Sequence, residues 1–157
     1  MRTDANHIAL EKTRSLLNLL RRSNFWVNGS TEESSIISKL KLLQQHLRIN
    51  SSGPVDAMDV LAPFLAILRA TFLAGPYKSA ALESIHTFIT CDILSECPSR
   101  TGDALAEIVD AVTHCKYVQT DAAGDELVQL HIVHVLQSVV KRFVLFSNTF
   151  IRYTAST

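Results

Sequence analysis

The sequence predicts an all-α protein, an armadillo- or HEAT-like stack of about six helices in antiparallel pairs. Three observations predict it. Apolar residues recur at three and four positions rather than two along nearly the whole chain, which is the period of a helix with one buried face. Breaker clusters at Ser23-Asn24, Asn50-Ser-Ser-Gly-Pro54, Gly75-Pro76, Cys97-Pro98 and Thr120–Gly124 cut that pattern into segments of about ten to nineteen residues. The 157 residues are 47% hydrophobic and 19% charged, enough apolar material for one packed core. No strict repeat of 40 to 47 residues is visible, so the stack is read from helix count and pairing. A compact bundle is the alternative.

The first helix is expected from about His7 to Arg22, with Leu16, Leu17, Leu19 and Leu20 crowding its second half and Arg21-Arg22 where cations suit a helix C-terminus. Asn28-Gly-Ser marks a turn, and Phe25-Trp26 is the one pair of large aromatics in a loop, a residue pair that packs a hairpin or anchors a partner. Thr31 or Ser34 can cap a second helix on which Ile36, Leu40, Leu43 and Leu47 share a face. Because proline suits a first turn, Pro63 places the third helix at about Leu61–Ala70. Gly75 then Pro76 opens a fourth, to about Leu94. Ser99 or Thr101 caps a fifth, to about Tyr117, with Leu105, Ile108, Val112 and Cys115 in one stripe. The sixth runs from Asp125 to at least Val140, and its apolar residues cover so much of the circumference that burial on several sides is expected, leaving His131, His134 and Ser138 as a narrow polar stripe.

Charge and cysteine content exclude several functions. Fifteen basic and fifteen acidic side chains cancel, so bulk electrostatics give no reason to expect nucleic acid as a partner. The cancellation is uneven, with residues 1–50 at +4, 51–126 at −7 and 127–157 at +3. The longest apolar run, Leu61–Leu68, is far shorter than a membrane span, and the N-terminus lacks a secretory core, so a cytoplasmic location with reduced thiols is expected. The sequons at Asn28 and Asn50 are then chance matches.

Catalytic and metal motifs are weak. His131-x-x-His134, with His114 or Cys115 as further ligands, has a spacing that can hold zinc, but no H-E-x-x-H glutamate accompanies it. Cys91, Cys97 and Cys115 lie in no nucleophile signature. Gly75-Pro-Tyr-Lys-Ser79 resembles a phosphate loop only faintly, since Pro76 removes one of the amides that would hold the phosphate. No enzyme, metal or cofactor is indicated.

The run Ala111-Val-Thr-His-Cys-Lys-Tyr-Val-Gln-Thr-Asp-Ala-Ala-Gly-Asp-Glu-Leu-Val-Gln-Leu-His-Ile-Val-His-Val-Leu136 is more specific. It resembles the dimerisation and cyclophilin-binding (DCB) domain of large Arf guanine-nucleotide exchange factors, in the Golgi brefeldin-A-resistance-factor branch. Leu61-Ala-Pro-Phe-Leu-Ala-Ile-Leu-Arg69 is similar to an earlier segment of that domain, and Gly75-Pro76 with Ala81-Leu82 and Phe88-Ile89 to the helix that follows. The resemblance implies a non-catalytic armadillo-like module, since exchange is performed by a separate domain much further along. It also implies homodimerisation, contact with the following homology-upstream domain, recruitment to Golgi membranes through small GTPases of the Arf and Rab classes, and, for some plant members, binding of cyclophilin. By position it makes Glu126, with Asp125, a candidate dimer contact, and it sets Thr87 where relatives commonly carry a lysine. The tail 141–157 departs from the family pattern, so a DCB-type domain over 1–140 and an atypical tail over 141–157 are expected, with Val139, Val140, Phe143 and Phe146 lacking a following helix pair to cover them. The competing reading is a generic helical-repeat adaptor for a peptide.

Overall fold

The computed structural model describes residues 2–22, 31–49, 55–96 and 98–155. Among them are six helices: α1 (Arg2–Arg22), α2 (Thr31–Ile49), α3 (Ala57–Arg69), α4 (Gly75–Thr90), α5 (Pro98–Thr113) and α6 (Ala122–Ala155). The all-α reading holds. The only extended pairing among the described residues is an isolated bridge between Ala74 and Val118, where the Val118 amide donates to the Leu73 carbonyl at 3.1 Å. The aromatic pair Phe25-Trp26, the sequons at Asn28 and Asn50, and Cys97 lie outside the described residues.

The helices form two rows. In one, α3 packs on both α2 and α5; in the other, α4 packs on both α1 and α6; α1 pairs with α2, α3 with α4 and α5 with α6. Side-chain pairings set the directions. Phe64 meets Phe88 edge to face at 5.0 Å while Lys78 reaches Ile67 and Leu68, so α3 and α4 run in opposite directions. Arg100 bonds Asp56 at the start of α3, and Arg69 at its end bonds Glu107 at 2.6 Å and Asp110 at 3.1 Å, so α3 and α5 run the same way. α3 thus lies antiparallel to its hairpin partner and parallel to its neighbour in the row, in a core that buries Ile36, Leu40, Leu43, Leu61, Leu65, Leu82 and Ile108 together.

Helix ends differ from the sequence expectation for local reasons. α1 begins at Arg2 rather than His7. α3 starts four residues early because the Asp56 side chain accepts from the Met58 amide at 2.8 Å, an N-cap ahead of the proline. Pro63 therefore stands inside the helix, and its buried ring replaces the missing backbone bond with packing. α4 ends at Thr90, not Leu94, because Asp92 takes a left-handed φ of 61°; Ile93–Glu96 then forms a short 3-10 turn that still buries Ile93 and Leu94. α5 begins at Pro98, so Thr101 is no cap; it is buried, and its hydroxyl donates to the Leu94 carbonyl at 2.9 Å. α5 stops at Thr113 instead of continuing to Tyr117. Asp121 does cap α6, accepting from the Gly124 amide at 2.6 Å.

The sixth helix corrects the largest expectation. α6 is buried along one face only, through Val128, Val135 and Val139, while Leu130, Val133 and Val140 stand open. Val139, expected to lack cover, is packed against the core; Val140 and Phe143 are exposed. The backbone remains helical from Val140 through Ala155.

One buried cation joins α3 to α4. Lys78 is fully buried, and its ammonium donates to the carbonyls of Ile67 at 2.5 Å, Leu68 at 2.8 Å and Ala70. These are carbonyls at the C-terminal end of α3, which the helix itself leaves without donors and where the dipole favours a cation. Burial pushes Lys78 down to about 8.

Lys78→Met is expected to destabilise the protein by about 1–3 kcal/mol in urea denaturation, because three oxygens lose their donor. Between about pH 8 and the ordinary lysine value of 10.5, the unfolded chain binds more protons at this residue than the folded one, so its contribution to stability rises with pH across that window. The stability difference between the native chain and Lys78→Met should widen from pH 8 to 10 and be flat below pH 7.5.

Candidate interaction site

The most extensive helix contact in the molecule is that between α4 and α6. Its polar part comes from two serine–histidine pairs. The Ser79 hydroxyl lies 2.6 Å from His131 Nδ1, and the Ser138 hydroxyl 2.8 Å from His86 Nδ1. Each pair is separated by 52 positions, so α4 and α6 run in the same direction with one register. The supposed polar stripe of α6 is consequently turned inward: Ser138 is buried, His131 half-buried, and only His134 exposed. His134 sits between the other two imidazoles, with ring centroids 6.1 Å from His86 and 6.4 Å from His131. A polar seam is tolerated beneath a helix pair when each buried group has a partner.

These histidines do not gather ligands. His114 is exposed at the end of α5 and bonded to the Asp110 carbonyl at 2.9 Å, and Cys115 is a partly buried residue packed against the core. Among the described residues no three His, Cys, Asp or Glu side chains are placed to hold a metal ion. Burial pushes the Cys115 thiol above its ordinary value, away from the thiolate that nucleophilic chemistry needs. Lys78, the would-be phosphate lysine, points into the core toward α3.

The three candidate dimer residues fall in two places. Glu126 is exposed at the start of α6, and Asp125 beside it is half-buried. Asp125 Oδ1 is buried without a hydrogen-bond partner and lies against Gly75, where an added Cβ would stand 3.4 Å from that oxygen and 3.4 Å from Val128 Cγ2. Gly75 opens α4, whose N-cap Ala74 has no side-chain cap, so Asp125 presents its negative charge to the positive end of a neighbouring helix. Thr87 is half-buried near the other end of α4, about 18 Å away at 1.5 Å per residue, and its hydroxyl donates to the Glu83 carbonyl at 2.9 Å. The chain therefore does not bring Thr87 and Glu126 together within itself.

Two sites escaped the sequence reading. The serine–histidine seam had a signal, because Ser79 and His86 on α4 repeat at seven residues just as His131 and Ser138 do on α6. An open groove of about 510 Å³ between the start of α2 and the end of α3, lined by Thr31, Glu32, Ser35, Lys39, Arg69 and Phe72, had none. Hydrogen bonding to Glu107 holds the Arg69 guanidinium further above its already high value, so this cation is committed to α5 rather than free for the groove. No helix among the described residues is long and apolar enough to cross a membrane.

Comparison with known proteins gives a consistent set. No family model matches the chain. It is 29% identical over 144 residues to the ARF guanine-nucleotide exchange factor GNOM of Arabidopsis thaliana, covering 85% of this chain and 10% of that protein. It is 28% identical over 131 residues to the ARF guanine-nucleotide exchange factor 2 of Saccharomyces cerevisiae, covering 83% and 8%. A Golgi-specific brefeldin A-resistance guanine nucleotide exchange factor 1 homolog of Caenorhabditis elegans is 31% identical over 87 residues, 55% of this chain and 4% of that protein. The chain thus spans a tenth or less of the length of these relatives.

Asp125→Asn is expected to lower stability by about 0.5–1 kcal/mol through loss of charge at the α4 N-terminus, whereas Glu126→Gln should leave it unchanged. Thermal denaturation of the two variants beside the native chain checks the difference.

Proposed function

We propose that this chain, akin to ARF guanine-nucleotide exchange factors over most of its length, is their DCB-type regulatory module and acts by protein–protein contact rather than catalysis. The observation that carries the reading is the match of four-fifths or more of the chain to relatives named for nucleotide exchange, of which it corresponds to a tenth or less. Exchange chemistry then belongs to other parts of such proteins. What the helical stack offers instead is surface: a row of helices closed on one side by α1 and open on the far side of α6.

On this reading the module self-associates into a homodimer, contacts the homology-upstream domain of its parent factor, and assists recruitment to Golgi membranes through Arf and Rab GTPases, with cyclophilin as a further partner. A name bearing "Golgi-specific" among the relatives supports the location. The uneven charge along the chain, acidic between 51 and 126 and basic on either side, supports association by complementary surfaces. Glu126 is the exposed candidate at the dimer contact, Asp125 is half-buried beside it against Gly75, and Thr87 lies in a separate region of the same α4–α6 unit.

Light scattering of the purified chain over a concentration series tests this directly. A discrete dimer is expected, weakened by Glu126→Lys, and addition of the chain to a nucleotide-loaded Arf GTPase should leave nucleotide release at its spontaneous rate. A monomer at every concentration, or accelerated release, would overturn the reading.

A further inference from the structure

The outer face of α6 carries a second pattern, independent of the seam it buries. Glu126, Leu130, Val133, Gln137, Val140 and Val144 follow one another at spacings of four, three, four, three and four residues, the heptad of a coiled-coil seam. The four aliphatic side chains among them are 48%, 60%, 61% and 54% exposed. Residues halfway round the helix, Val128 and Val135, are those that pack into the core. The stripe is about 27 Å long at 1.5 Å per residue. Four exposed aliphatic side chains along about 21 Å of a water-facing helix, broken only by Gln137, mark a surface that takes a partner.

Charge selects the partner. On this face the opening turn of α6 is acidic through Glu126, Asp125 being turned toward α4; Lys141 stands exposed four turns later, and no acidic residue follows Glu126 in the sequence. Against a parallel copy, like charges would face each other at both ends. Against an antiparallel copy, a two-fold axis near position 135 sets Leu130 across from Val140 and Val133 across from Gln137, and brings Glu126 of each helix within about one turn of Lys141 of the other. The stripe is self-complementary in that orientation alone.

We propose that the outer face of α6 is the self-association surface, taking the same helix of a second copy in antiparallel orientation. This rests on the dimer reading above and assigns it a place. It gives Glu126 its role through Lys141 of the other copy rather than through the region of Thr87.

Sedimentation equilibrium on the full chain tests it. Val133→Glu is expected to weaken association by about tenfold or more with unchanged far-UV circular dichroism, since Val133 is 60% exposed and lies outside the buried core. Glu126→Lys and Lys141→Glu are each expected to weaken it by roughly twofold to fivefold at low salt, and the double exchange to restore it. A native chain that is monomeric throughout would overturn both the dimer reading and this surface. A native dimer indifferent to Val133→Glu would overturn the surface alone. A dimer broken by Val133→Glu but not rescued by the double exchange would overturn the antiparallel orientation.

Discussion

The stack depends on how the end of α3 is satisfied. A helix that stops inside a core leaves carbonyl oxygens turned into an apolar space, and each costs free energy unless something donates to it. Here the donor is a single ammonium sent from the second turn of the next helix, and Lys78 can supply three hydrogens to three oxygens only because it is a lysine. The turn at 70–74 can then be short, α4 can lie back along α3, and Phe64 can meet Phe88. Once that hairpin is fixed, α1 and α2 cover one side, and α5 and α6 the other.

Ion pairs reinforce the same plan without setting it. Lys12 to Glu83 ties α1 to α4, Arg69 to Glu107 and Asp110 ties α3 to α5, and Arg142 to Asp92 ties α6 to the turn after α4. All involve at least one well-exposed partner, so each contributes little beside the apolar core. Their value is directional: every one links helices that the hydrophobic contacts already bring together, and local charge agrees with global packing.

What the sequence disclosed and what it hid divide along physical lines. Helix existence and the core faces of α2 and α5 were legible because period and breakers act locally, and Ile36, Leu40, Leu43, Leu47, Leu105, Ile108 and Val112 are all buried as their spacing requires. Helix ends moved where a single residue acted at short range, Asp56 through its side chain and Asp92 through a left-handed backbone. The buried polar features were unreadable one helix at a time. Lys78 looked like a faint phosphate ligand because nothing in its own segment reveals the carbonyls ten residues earlier, and His131 with Ser138 looked like a wet stripe because their partners lie 52 positions away. For α6 the inference from apolar coverage to burial failed, because an amphipathic count does not say how many neighbours a terminal helix of a row has.

The two serine–histidine pairs have a consequence for how this protein can change length. Since both share one offset, they work like two pins through a pair of rods: sliding either helix by a residue withdraws both at once. Segment 114–121, where α5 has ended and α6 has not begun, can be lengthened or shortened without disturbing the pins. One residue inserted ahead of Gln137 in the span between His131 and Ser138 would turn Ser138 by about 100° and set Gln137 in its place before His86. Indels along this chain should therefore be confined to its connections, with the spans 79–86 and 131–138 held at fixed length.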